Sequence, residues 1–291
     1  MRAPLAAHGG TVASRPVPLA NQDVARLYER FIEHLGSRLE NPKVDRDVLC
    51  RDVLTEIHYG EGPRYADLIE DGSRPAGERL LIAQLDPRNV TLEAEYYAEC
   101  DPARYNRVKP LLWLWIQFDH SPLGQNVHLG VMVRRLLAKH IFKRCGENVR
   151  IFRDVEVSFG YNLSVGDNTT IHRKVLLDDR GEIVIGSRVS ISDYANIYSH
   201  NHDIEDIERV TCSRTLIGDG ARITYHAVVL SGTTVGKNAM VGTMGVVTRP
   251  VPDHHINVGI PAKSVRVKRE GLRGKESDGA SGSALPRPVH E

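Results

Sequence analysis

Between Ile217 and Thr248 the apolar positions fall at one fixed interval: Ile217, Ile223, Val229, Val235, Val241 and Val247, every sixth residue, with glycine following at 218, 236 and 242. An α-helix repeats every 3.6 residues and a strand every two, so neither element alone accounts for a period of six. β-branched residues at that interval describe a β-solenoid in which three short strands make each triangular coil. Each repeated side chain then stacks on its counterpart one coil further on. The spacing recurs at Val165, Ile171 and Leu177, at Ile185, Ile191 and Ile197, and in weaker form at Cys145, Ile151 and Val157. The pattern predicts a mainly β fold of roughly five coils.

Ahead of the coils the period changes to three and four. Val24, Leu27, Phe31, Leu35 and Leu39 predict an amphipathic helix ending near Asn41-Pro42, and a second helix is expected from about Val44 to Leu54. The stretch from Leu92 to about Gln117 also reads as helical, with Asp101 at an N-cap and Pro102 at the first helical position. The expected organisation is a disordered tail over 1–20, a helical region and cap over 21–140, the solenoid over 145–268 and a second disordered tail over 271–291.

Composition narrows the classes. The 291 residues carry a net charge of +1, which argues against a dedicated nucleic-acid binder. Cys50, Cys100, Cys145 and Cys212 show neither CxxC spacing nor a disulfide framework and read as reduced thiols. The longest apolar run, LLWLWI at 111–116, is too short for a membrane span, and no signal peptide is evident, so a cytoplasmic protein is expected. No Walker-type or dinucleotide glycine loop supports nucleotide hydrolysis or hydride transfer.

The repeat is interrupted once at length. After Ile197 the next apolar residue in register is Ile217, so about fourteen residues loop out, opening with His200, His202, Asp203, Glu205 and Asp206. A histidine in a polar loop is often only solvated. Its place at a break in a rigid scaffold favours chemistry, and imidazole is the usual general base for a hydroxyl acceptor.

Several short motifs share one likeness. Glu95, Tyr97, Asp101, Pro102 and Arg107, then Gly-Glu-Asn-Val at 146–149, Gly-Tyr-Asn at 160–162, Val-Gly-Asp-Asn at 165–168 and Gly-Ile-Pro-Ala at 259–262, resemble the hexapeptide-repeat acyltransferases, in particular the maltose and galactoside O-acetyltransferases. The resemblance spans about residues 92–268. It implies a left-handed parallel β-helix with an N-terminal helical cap, assembled as a homotrimer with active sites between subunits. The implied activity is acetyl transfer from acetyl-CoA to a hydroxyl of a sugar-like acceptor, with no metal.

Ungapped alignment to that family puts the catalytic histidine on His202, with Asp203 or Glu205 available to orient it, and His200 where a small residue is usual. The resemblance also implies an oxyanion-stabilising backbone N–H at Tyr225, acceptor contacts from Asp101, Arg107 and His172, and a coenzyme A groove lined by Thr243, Thr248, Arg249, Lys263 and Arg266. Two departures stand out: Ala98 replaces an acid that usually follows the cap tyrosine, and His172 replaces a usual asparagine. Two other classes stay open. One is a γ-carbonic-anhydrase-like hydratase holding zinc through histidines such as His172, His200, His202 and His226; the other is a noncatalytic trimeric scaffold.

Overall fold

The computed structural model describes residues 21–269. The two expected disordered tails lie outside them. Among the described residues seven α-helices come first: α1 (Gln22–Glu40), α2 (Arg46–Tyr59), α3 (Tyr65–Glu70), α4 (Ala76–Ala83), α5 (Pro102–His120), α6 (Pro122–Gln125) and α7 (Val127–Ile141). The first helix ends where expected and buries Leu35 and Leu39 of its predicted apolar face, while Val24 and Phe31 are half-buried and Leu27 is exposed. The second starts at Arg46, because the Asp45 carboxylate accepts the N–H groups of Asp47 and Val48, and runs past the expected end to Gly60. The stretch after Leu92 is not one helix. A 3-10 turn at Glu93–Tyr96 is followed by a second turn, closed by the Cys100 N–H on the Tyr97 carbonyl, and α5 begins where the Asp101 carboxylate accepts from Ala103 and Arg104. Pro102 disfavours a helical residue before it, which separates the two pieces.

The remainder is a parallel β-solenoid with three faces. Its first face stacks Cys145, Val165, Ile185, Ile217 and Val235. The second stacks Ile151, Ile171, Ile191, Ile223 and Val241, and the third Val157, Leu177, Ile197, Val229 and Val247. Most of these side chains are fully buried, so the six-residue period marks the core. A bridge from Val235 to Val251 and the strand His255–Val258 add a sixth, partial coil beyond the five expected. The chain then reverses, and Lys263–Val267 pairs antiparallel with that last strand.

Two of the three corners keep the hexad. At the corner between the second and third faces, Asp154, Lys174, Tyr194, His226 and Met244 all adopt left-handed φ values, between 55° and 62°, which makes each turn tight. The corner between the third and first faces is different. It takes eight residues from Val157 to Val165 and from Leu177 to Ile185, twenty from Ile197 to Ile217, and six only from Val229 to Val235. The interruption seen in the sequence is therefore the largest of three expansions stacked on one corner.

Helices α5 and α7 close the first coil. The guanidinium groups of Arg134 and Arg135 donate to the carbonyl oxygens of Ile151 and Val149, at 3.4 and 2.7 Å, and Arg104 donates to that of Tyr161 at 2.9 Å. Arg134 is buried and paired with Asp119 at 2.6 Å, and Asp119 also accepts the Asp154 N–H. Burial pushes the Asp119 carboxyl up, opposed by Arg134. A buried ion is tolerable only with such complete pairing.

Candidate active site

The second expanded corner reads Asp178-Asp179-Arg180-Gly181-Glu182. Asp179 is fully buried and accepts the N–H groups of Phe159 (2.8 Å) and Asn162 (3.1 Å), which ties the first expanded corner to the second. Burial pushes its pKa up to about 6 against those hydrogen bonds. Gly181 is required by the stacking, since a Cβ there would lie 2.5 Å from the Ser199 carbonyl oxygen of the third corner.

On the third corner the extra residues form a hairpin, with His200–His202 antiparallel to Val210–Cys212. The tip is exposed, including Ile204 and Ile207. Asp203 does not orient the imidazole: its carboxylate accepts the N–H groups of Glu205 and Asp206 and so shapes the turn. The residue that meets His202 is Ile207, whose carbonyl oxygen lies 3.0 Å from Nδ1. A carbonyl can only accept, so in the neutral ring Nδ1 carries the proton and Nε2 keeps a lone pair on an exposed side chain. That tautomer is ready to act as a base.

His200 is differently placed. Its Nδ1 lies 2.5 Å from Asp178 Oδ2, and its Nε2 lies 3.1 Å from Arg180 Nη1, which can only donate. Burial lowers its pKa, Asp178 raises it, and Arg180 and His202 lower it further. With both nitrogens engaged, His200 has no free lone pair for a substrate. Cys212 stands opposite His200 in the hairpin, and partial desolvation pushes its thiol up, assisted by Glu99, so at neutral pH it is a protonated, poor nucleophile.

A cleft of about 960 Å³ runs between α5, the 92–97 segment and the third face, ending at His200. Its walls carry Tyr97, Glu156, Lys174, Asp178, Arg180 and Asn196. Hydroxyl-rich ligands need such a mixture of hydrogen-bonding groups beside aromatic surface.

The structure distributes the expected site residues unequally. Tyr225, Thr243 and the 259–262 turn stack in successive coils on the second–third corner, where Met244 N–H donates to the Tyr225 carbonyl and Val246 N–H to that of Gly259. The Tyr225 N–H meets no backbone or side-chain acceptor among the described residues. Thr248 and Arg249 leave the third face at its other edge, and Lys263 and Arg266 lie exposed on the final strand. None of these three cations pairs with a described carboxylate. The three residues expected to hold the acceptor do not converge. The Asp101 carboxylate is the cap of α5; Arg107 is exposed on that helix; His172 stacks on Phe152 at 5.0 Å and lines a separate cleft of about 280 Å³. Asp178, Arg180 and Glu99 did not emerge from the sequence. The signal for Asp178 and Arg180 was the eight-residue spacing from Leu177 to Ile185; Glu99 had none. Among the described residues, no group of three or more His, Cys, Asp or Glu is arranged to hold a metal ion.

No family model matches the chain. Galactoside O-acetyltransferase of Escherichia coli (strain K12) is 25% identical to it over 169 residues, which is 57% of this chain and 79% of that protein. A Staphylococcus aureus (strain COL) protein, whose acetyltransferase name is itself inferred, is 30% identical over 139 residues, 46% of this chain and 69% of its own length. Among solved structures, a galactoside acetyltransferase in complex with coenzyme A superposes with a TM-score of 0.52 at 25% identity, covering 59% of this chain and 85% of that one.

Proposed function

Because this chain belongs to the hexapeptide-repeat acetyltransferases, we propose that it moves an acetyl group from acetyl-CoA to a hydroxyl of a sugar-like acceptor, with His202 as general base. The observation that carries the reading is the fixed tautomer of His202, with Nδ1 on the Ile207 carbonyl and Nε2 free. The galactoside and coenzyme A named for the relatives support the two substrates.

In this mechanism Nε2 takes the proton of the acceptor hydroxyl as its oxygen attacks the thioester carbonyl. The Tyr225 N–H stabilises the tetrahedral oxyanion, which collapses to the ester and expels the thiolate; the imidazolium then returns its proton to sulfur. The acceptor occupies the cleft below α5. Thr243, Thr248, Arg249, Lys263 and Arg266 hold the donor, the cations facing its phosphates.

His202 and Tyr225 stand on different corners of one chain. We therefore place each site between subunits of a homotrimer, the hairpin of one copy against the Tyr225 corner of the next. Exposed Met244 and Ile260 beside that corner supply apolar surface for the contact. The acyltransferase domain is then 145–268, with 21–140 as its cap. We place the enzyme in the cytoplasm, where its donor is available; among the described residues no helix is long and apolar enough to cross a membrane.

The test is His202→Ala, which should lower turnover by about 10² to 10⁴ while acetyl-CoA still binds by calorimetry. Wild-type turnover would remove the assignment. A labelled acyl-protein trapped in wild type and lost in Cys212→Ser would overturn direct transfer, and a monomer that retains activity in sedimentation would overturn the shared site.

A further inference from the structure

The hairpin that presents His202 has almost no packing of its own. Asn201, His202, Thr211 and Cys212 are exposed, as is the whole tip, and an isolated two-stranded hairpin is marginal in water. Its half-buried foot is His200, and His200 is held by Arg180.

Arg180 is a buried side chain that joins three parts of the molecule. Its guanidinium pairs with Glu99, lies 3.8 Å from the ring centre of Tyr97, and places Nη1 3.1 Å from His200 Nε2. Tyr97 and Glu99 belong to the segment leading into α5, so the cap fixes the guanidinium from one side. Asp178 fixes the imidazole from the other, at 2.5 Å. The remaining groups around His200 are Tyr198, the His202 ring at 5.2 Å and Cys212 opposite it in the hairpin.

We infer that Arg180 is a positioning residue for acetyl transfer: anchored on the cap by Glu99 and Tyr97, it holds His200 and through it the base of the hairpin that presents His202. The inference rests on His202 being the base. Lysine cannot replace Arg180, because a single ammonium cannot pair with Glu99, lie flat on Tyr97 and reach His200 together.

Hydrogen exchange on the full chain tests the grip directly. Arg180→Met should speed exchange of the 200–212 amides about tenfold and leave 217–247 unchanged. It should lower kcat by about 10- to 100-fold, the cost of a misplaced group, with the KM for acetyl-CoA nearly constant. Histidine NMR should show the His200 titration moving upward, because the cation opposing its protonation is gone. Glu99→Gln, a milder change should Arg180→Met fail to fold, should loosen the same amides to a smaller degree. Wild-type exchange in both variants, with His202→Ala inactive, overturns the grip. Full turnover in His202→Ala with a loosened hairpin in Arg180→Met overturns the base assignment and upholds the grip.

Discussion

The third face of the solenoid has two halves that share a backbone and differ in everything added to it. In the first three coils it carries Glu156, Ser158, Asp178 and Asn196 beside Leu176 and Tyr198, and its corner is expanded; in the next two it carries Val228, Leu230 and Val246, and its corner closes in six residues from Val229 to Val235 and in four from Val247 to Val251. A strict hexad satisfies its backbone through the ladders. Each added residue takes backbone groups out of the ladder, and side chains must satisfy them. Asp179 does so for Phe159 and Asn162, Ser199 for the Asp178 carbonyl and Thr215 for that of Tyr198. The polar side chains that repair the corner are chain neighbours of those that line the cleft: Asp179 lies between Asp178 and Arg180, and Ser199 precedes His200.

That contrast can be broken most forcefully where the cap meets the expanded half. Asp119→Ala leaves Arg134 buried without its partner and should cost about 3–5 kcal/mol in denaturant unfolding; a loss under about 1 kcal/mol would mean the pair does not lock the cap. Next, Ile197→Ala beside the expanded corner and Ile223→Ala in the regular half remove the same fully buried side chain. Each should cost about 2–5 kcal/mol, and a gap above about 1 kcal/mol between them would show that expansion softens the packing beneath it.

Asp179 sharpens the comparison through pH. Its folded pKa of about 6 stands above the ordinary carboxylate value. The folded state therefore binds the proton more tightly. Its contribution is complete below about pH 4 and lost as pH rises through 6, by roughly 3 kcal/mol. Urea midpoints measured across that window should fall in wild type and stay flatter in Asp179→Asn; parallel profiles would place the slope elsewhere. The smallest effect belongs to the regular half. Arg249→Ala and Lys263→Ala should each raise the KM for acetyl-CoA several-fold, about 3- to 10-fold, with kcat little changed, if as proposed they hold parts of the donor that do not react. Unchanged donor affinity in both would move the donor off the last coils.

The same division decides what could be read from sequence. Every hexad position from Val165 to Val247 lies on the predicted inner stack, because one local rule, an apolar residue every sixth place, fixes it. Asp101 was legible as a cap for the same reason, its partners being two and three residues away. Arg180 was not, for its partner Glu99 is 81 residues distant and no local pattern records the pairing. Asp101 and Arg107 belong to short motifs that resemble a family and His172 departs from one, but a motif does not say what a side chain touches. Asp101 is spent on a helix terminus and His172 on an aromatic stack.

The first coil's edge carbonyls, occupied by Arg104, Arg134 and Arg135, bear on a different question. A stack of identical rungs has no intrinsic length, and an open rung is a template for any passing strand, whether from another molecule or from an unfolded chain. Guanidinium groups block one end. At the other, the antiparallel strand Lys263–Val267 runs in the wrong direction to continue the ladder and brings Lys263 and Arg266 to its rim. The molecule thus carries two chemically distinct terminators. Neutralising either, for instance with Arg135→Leu, turns a finite enzyme into a candidate seed for end-to-end fibres, visible as light scattering in a protein whose individual coils remain intact.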